Sequence, residues 1–306
     1  MGLPCSPAGA HTSESMSGEA YSYTSSVKSD ASDELINTYV LRPAAGLLVR
    51  ALYRTPVTPN QVTLAATAAG LAAAGLYLQG TPGLTLAAGL CITLKDLLDS
   101  ADGQLARAKR MFSRAGRFLD SIGDFAVNLA VFAAISAVML REGAGMEAPI
   151  LCLCAFLGIS LRVSYHVFYQ TSFLHLRSAY TGNRTSEELT EEDREEDRWT
   201  AALHRTFLLL YGWQDRLIAR IDAFAAGGAP PGAALSARWY GDVTGVRLSG
   251  FLGLGTELFL LTACSVAGAL KLYLFLNIGG MNLFWACCVA YRRWVLRPRL
   301  GAPGAA

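Results

Sequence analysis

The chain has 306 residues, of which 52% are hydrophobic and 16% are charged, with a net charge of +2. Soluble proteins contain roughly 25% charged residues, so this composition favours an integral membrane protein. The small net charge predicts no nucleic-acid partner. The seven cysteines follow neither a metal-binding nor a disulfide spacing, so we expect reduced thiols.

The N-terminal region combines a polar tail with a basic amphipathic segment. Residues 1–32 are rich in Ser, Thr, Ala and Asp and contain no apolar stretch typical of a signal peptide, which predicts a disordered cytoplasmic tail. Residues 33–57 pair apolar residues with Arg42, Arg50 and Arg54, a pattern typical of a helix lying on an anionic membrane surface. A short solvated linker helix is the alternative.

Apolar stretches predict an all-α membrane protein with six transmembrane helices. Four of them fall within residues 58–175, at about 62–78, 84–99, 116–140 and 149–173. The apolar region 248–293 is long enough for two more helices with a turn near 268–272. Residues 294–306 then form a C-terminal tail.

Basic residues predict the orientation of these spans. They are concentrated between the second and third spans and after the sixth: Arg107, Lys109, Arg110, Arg114, Arg117, Arg292, Arg293, Arg297 and Arg299. Because basic residues are retained on the cytoplasmic side, we expect both termini and the segment 99–124 to face the cytoplasm of a multi-pass inner-membrane protein.

Residues 176–247 interrupt the apolar pattern and are predicted to form a cytoplasmic helical insertion. The acidic run 186–197 is typical of a solvated helix or loop, and a second metal site is the alternative. Residues 199–224 are amphipathic at helical period, so we expect them to dock on the membrane interface or on another protomer. The sequence assigns no function to this insertion.

The segment 99–124 contains four aspartates at helical spacing. Asp99 and Asp102 share one helix face, and Asp120 and Asp124 share another. Four carboxylates near a bilayer repel one another and are costly to desolvate, so they imply bound cations. Oxygen ligands suit Mg²⁺ or Mn²⁺, and four carboxylates suit two ions that bridge a diphosphate. An ordinary pair of salt-bridged helices is the alternative, and Lys95, one turn before Asp99, could pair with the cluster.

This segment resembles the signature of the CDP-alcohol phosphotransferase family, whose members are membrane enzymes that make phospholipids and related phosphodiesters. The signature is Asp-x2-Asp-Gly-x2-Ala-Arg-x8-Gly-x3-Asp-x3-Asp, and all its fixed positions are filled between Asp99 and Asp124. The resemblance extends to Thr58, Pro59 and Asn60, but not to the N-terminal tail or the insertion. It also implies a homodimer.

The resemblance implies a role for each residue of the signature. It implies that Asp99, Asp102 and Asp120 are metal ligands, and that Asp124 is the general base and contributes to one metal. It implies a nucleotide site formed by Gly103, Ala106, Arg107, Gly116 and Asn60. Arg107 suits this site because a guanidinium can hold a phosphate with two hydrogen bonds.

The acceptor site has no comparable pattern. Arg162 and His166 lie one turn apart in the fourth span, and Arg292 lies at the end of the sixth. Ionisable residues within a span are functional candidates, so we expect these three to contact an anionic acceptor. There are three alternatives. Arg162 could extend its charged end to the membrane surface, His166 could serve packing, and Arg292 could serve only to orient the sixth span.

Together these features predict a transferase that moves a phosphoalcohol onto the hydroxyl of a second alcohol and releases CMP. The first choice of donor is CDP-diacylglycerol, from which the enzyme would transfer a phosphatidyl group. A soluble donor such as CDP-inositol is the alternative within the same chemistry. A catalytically silent scaffold or transporter is the alternative of another class. The sequence does not identify the acceptor alcohol.

Overall fold

A computed structural model describes residues 41–176, 197–228 and 233–301, and every regular element within these ranges is a helix. The predicted tail 1–32, the first part of the predicted surface helix (33–40), the acidic residues 186–196 and the chain end 302–306 lie outside the described residues.

Five helices form the first half of the described chain: α1 (Arg42–Leu52), α2 (Pro59–Tyr77), α3 (Pro82–Ala108), α4 (Arg114–Arg141) and α5 (Glu147–Leu176). Local signals fix where they begin. Thr58 and Gln61 form a reciprocal capping box at α2, with Pro59 in the first turn. Ser113 accepts a hydrogen bond from the Gly116 amide at the start of α4.

Five further helices follow: α6 (Arg198–Ala226), α7 (Ala233–Tyr240), α8 (Val243–Gly250), α9 (Leu254–Val266) and α10 (Leu270–Leu300). The last is a long helix that widens into π-helical turns at Leu276–Met281 and Tyr291–Leu296. The turn between α9 and α10 contains Gly268 in a left-handed conformation, at the predicted turn.

Four segments of the described chain are long and apolar enough to cross a membrane: Arg114–Arg141, Glu147–Leu176, Val243–Val266 and Leu270–Leu300. They coincide with the predicted third to sixth spans. The helices at the first two predicted spans are not among them. The first turn of α2 is polar, and the second half of α3 carries the charged residues of the acidic segment.

The helices of the family-like region pack closely around α2, which lies against α3 and α4. The main apolar core draws on α2 to α5, α9 and α10, with Tyr77, Ile92, Phe132, Phe156 and Tyr273 among its buried side chains. A smaller cluster buries Ala45 and Val49 of α1 against Ala101 and Leu105 of α3. The helix that carries Asp99 and Asp102 is thus held on several sides.

The insertion helix α6 packs on helices α4 and α5 of its own chain, and its docking on a membrane surface or another protomer stays a prediction. Phe118 of α4 stacks on His204 with ring centroids 4.8 Å apart. The Tyr211 hydroxyl donates to the Ser121 carbonyl at 2.7 Å. Some polar side chains of α6 are buried as well, because they form hydrogen bonds with neighbouring helices. Asp222 is one of them, and it accepts a hydrogen bond from Tyr169 of α5.

Candidate metal and nucleotide site

Three of the four predicted metal ligands meet between α3 and α4. Carboxylate oxygens of Asp99, Asp120 and Asp124 all lie within 4.8 Å of one another. An Mg²⁺ ion with bonds of about 2.1 Å holds opposite ligands about 4 Å apart, so small side-chain rotations would bring these oxygens onto one ion. All three residues are partly exposed. The residues present therefore fit a divalent cation.

Asp102, the fourth predicted ligand, is buried beside this triad. Its Oδ2 atom accepts a hydrogen bond from the Thr63 hydroxyl at 2.5 Å. Thr63 lies in the second turn of α2, so this bond joins a third helix to the acidic segment. The remaining lone pairs of the carboxylate stay available for a cation.

A buried ammonium group lies among the carboxylates. Lys95 Nζ contacts Asp124 Oδ1 and lies 3.7 Å from Asp99 Oδ1. Lys95 is only 2% exposed, so its charge is balanced by the acidic cluster rather than by solvent. The pairing of Lys95 with the acidic cluster, which the sequence suggested, is therefore present.

The predicted nucleotide residues form two groups, one on α3 and one where the start of α4 meets α2. Gly103, Ala106 and Arg107 follow Asp102 along α3 and are all partly exposed. A Cβ atom on Gly103 would lie 3.5 Å from an Arg107 guanidinium nitrogen, which is a van der Waals contact. The Arg107 side chain therefore lies directly beside Gly103. Gly116 lies against exposed Asn60 of α2, and a Cβ atom there would be 2.6 Å from Asn60 Oδ1. The structure thus places Gly116 and Asn60 side by side.

The insertion contributes a neighbour that sequence reasoning missed. Tyr211 packs edge-on against Phe125, with ring centroids 6.1 Å apart, one residue beyond Asp124. Burial, together with the nearby Asp124 and Asp120 carboxylates, raises the pKa of the Tyr211 hydroxyl well above its usual range, so it remains a neutral donor. Neither Tyr211 nor Thr63 belongs to the signature, and no spacing in the chain connects them to it.

The three predicted acceptor residues are buried in contacts between helices. Arg162 forms an ion pair with Glu257 and donates to the Asn277 carbonyl at 3.1 Å. His166 Nδ1 lies 3.3 Å from the Ser249 hydroxyl. The Arg292 guanidinium lies 3.4 Å from the centre of the Tyr169 ring and donates to the Trp239 carbonyl. These contacts join α5 to α8, α9 and α10, and give all three residues a role in packing.

Known proteins resemble the region that contains this site. Residues 56–184 match the family model for CDP-alcohol phosphatidyltransferases. A protein of Thermococcus kodakarensis, named "Bifunctional IPC transferase and DIPP synthase", is 36% identical over 112 residues, which make up 36% of this chain and 23% of that protein. This chain thus matches less than a quarter of that relative's length. The family match includes Asn60 and the whole acidic segment and ends before α6 begins. Residues 56–184 are therefore similar to the CDP-alcohol phosphatidyltransferases, enzymes that transfer phosphorus-containing groups.

Proposed function

We propose that this protein is a CDP-alcohol phosphotransferase that transfers a phosphoalcohol from a CDP-activated donor to the hydroxyl of an acceptor alcohol and releases CMP. The observation that carries the proposal is the convergence of carboxylate oxygens from Asp99, Asp120 and Asp124 within 4.8 Å. The family match over the same residues supports it. A cluster of this kind is costly in a membrane protein unless it serves a cation and its ligand.

The side chains in and around the cluster would have different roles in the reaction. Asp99, Asp102, Asp120 and Asp124 would hold Mg²⁺ or Mn²⁺, two ions in the full complex, which would supply positive charge to the donor diphosphate. Asp124 would take the proton of the acceptor hydroxyl as its oxygen bonds to the donor phosphorus and the bond to CMP breaks. Arg107 would hold a donor phosphate, with Gly103, Ala106, Gly116 and Asn60 lining the nucleotide pocket.

The membrane arrangement is part of the proposal. Helices α2 and α3 would complete six spans with the four apolar segments, because α2 packs against α3 and α4, and α3 also packs against α9. Basic residues in the α3–α4 connection, including Lys109 and Arg110, would retain the acidic site and both termini on the cytoplasmic side of the inner membrane. Helix α1 would lie on the membrane surface, and the active protein would be a homodimer.

Two donor classes fit this chemistry. A phosphatidyl group from CDP-diacylglycerol suits an enzyme embedded in lipid and is our first choice. A soluble donor such as CDP-inositol is the second, because the Thermococcus relative is named as an IPC transferase and DIPP synthase rather than as a phosphatidyltransferase. The acceptor residues Arg162, His166 and Arg292 remain predictions.

Release of CMP tests the proposal. The purified full chain would be assayed in lipid nanodiscs with Mn²⁺ or Mg²⁺, using CDP-diacylglycerol and CDP-inositol as donors, each with a panel of alcohols. We expect metal-dependent release that falls at least a thousandfold in Asp120→Asn and is unchanged in Asp215→Asn, a control at an exposed position of α6. Wild-type protein that binds no CDP-donor would favour a scaffold or transporter instead.

A further inference from the structure

The acidic cluster includes a cation of its own. Lys95 lies one helical turn before Asp99, and its ammonium group contacts Asp124 Oδ1 and approaches Asp99 Oδ1 to 3.7 Å. Two of the three carboxylates in the metal-binding triad are thus also partners of Lys95. The signature that this chain resembles begins at Asp99, so Lys95 lies outside it.

We propose that Lys95 is a built-in counter-cation that competes with the divalent ion for Asp99 and Asp124 and thereby lowers the affinity of the site for metal. This inference rests on the proposed function, because it assumes that the triad binds a divalent ion. It assigns to Lys95 a positioning role: in the metal-free protein the ammonium group holds the Asp124 carboxylate in place.

The competition follows from the contacts. An ammonium group only donates hydrogen bonds, and it occupies lone pairs that a metal ion would need. A divalent ion bound to the same oxygens would lie within a few ångströms of the ammonium charge. Repulsion between like charges about 4 Å apart is strong where water is largely excluded. Lys95 is 2% exposed, so solvent screens little of it.

The same contacts explain how the cluster persists without metal. Several carboxylates gathered near a bilayer would repel one another if none were neutralised. Lys95 and Asp99 lie on one helix face, four residues apart, so the backbone keeps the ammonium group beside the cluster. The four-carbon stem leaves the charged end free to shift as an ion binds.

Two substitutions separate charge from shape. Lys95→Met keeps a long unbranched side chain and removes the charge, so we expect Mn²⁺ to bind at least tenfold more tightly than to the wild type. Lys95→Arg keeps the charge, so we expect an affinity within about threefold of the wild type. Lys271→Met is the matched control, because Lys271 is exposed in the first turn of α10, and the affinity of this variant should not change.

The measurement is a titration of the metal-free full chain in detergent micelles with Mn²⁺ alone, following free Mn²⁺ by electron paramagnetic resonance. If Lys95→Met proves unstable without metal, the rise of its unfolding temperature with Mn²⁺ concentration gives the affinity by linkage, and Lys95→Gln provides a second neutral variant. Wild-type or weaker affinity in both neutral variants would overturn the role of Lys95 while leaving the metal site intact. Failure of the wild type and of every Lys95 variant to bind Mn²⁺ would overturn the proposed function as well.

Discussion

The Thr63 hydroxyl donates a hydrogen bond of 2.5 Å to Asp102 Oδ2, across the contact between α2 and α3. The bond joins two residues that are 39 positions apart in the chain. It orients the one signature aspartate that lies outside the triad of Asp99, Asp120 and Asp124, and a carboxylate is a strong acceptor. Helix α2 therefore contributes to the candidate site through a side chain as well as through its N-terminal turn.

Replacing Thr63 by valine should weaken catalysis. Thr63→Val preserves the branched shape but removes the donor, so Asp102 loses a hydrogen bond to a charged acceptor, worth roughly 1.5–3 kcal/mol. We expect kcat/KM for CMP release to fall at least tenfold with little loss of folded protein. Thr93→Val is the control, because it removes a hydroxyl of α3 that donates to Thr262 of α9 and not to an aspartate. Equal activities for the two variants would show that the Thr63 bond does not position Asp102.

The close approach of Gly116 to Asn60 predicts a defect in donor binding. A methyl group at Gly116 would lie 2.6 Å from Asn60 Oδ1, so Gly116→Ala must displace Asn60 or the start of α4. We expect KM for the CDP-donor to rise at least tenfold, while the unfolding temperature changes by only a few degrees. Gly75→Ala is matched, because a Cβ atom there meets nothing within 4 Å. If both alanine variants kept the wild-type KM, Gly116 would have no part in the nucleotide pocket.

Much of the helical framework could be predicted from the sequence, because long apolar stretches have few alternatives in a membrane. The turn at Gly268 and the start of α2 at Pro59 follow from residues that restrict the backbone in known ways. The acidic triad was predictable because residues three or four apart must share a helix face. Family resemblance supplied roles that spacing alone does not give.

Contacts between distant helices were not predictable in the same way. Nothing near Thr63 or Tyr211 in the chain indicates that either side chain lies beside the aspartates, because packing of α2 and α6 brings them there. Amphipathicity of α6 shows that one face is buried but not what covers it. The structure shows that α4 and α5 of the same chain cover part of this helix, and docking on a membrane surface or a second protomer stays a prediction.

The buried pair formed by Arg162 and Glu257 makes a prediction that separates packing from acceptor binding. Both side chains are fully buried, and removing one partner leaves an uncompensated charge that costs roughly 3–5 kcal/mol. We expect Arg162→Met to lower the unfolding temperature in detergent and the double variant Arg162→Met with Glu257→Gln to recover most of the loss. If the double variant regains both stability and the wild-type KM for the acceptor, Arg162 serves packing alone. A stable double variant with a raised acceptor KM would support the acceptor role.

Asp222 anchors the insertion and should be required for its stability. Its carboxylate accepts hydrogen bonds from Tyr169 at 2.6 Å, from Trp239 at 2.8 Å and from Tyr240 at 2.8 Å. Asp222→Ala leaves three donors without this acceptor, and each buried donor left unsatisfied costs roughly 1–3 kcal/mol. We expect a large fall in unfolding temperature and rapid proteolysis within α6. Arg216→Ala, at an exposed position of the same helix, should behave as wild type; similar protease resistance in both variants would contradict the anchoring role.

The central claim is that Asp99, Asp120 and Asp124 share a divalent cation. Anomalous scattering from crystals of the full chain grown with Mn²⁺ tests it most directly, because the signal locates the ion without reference to activity. The account predicts a peak about 2 Å from carboxylate oxygens of all three aspartates, and no such peak in Asp120→Asn. Well-ordered carboxylates that face different surfaces, with no Mn²⁺ peak among them, would contradict it.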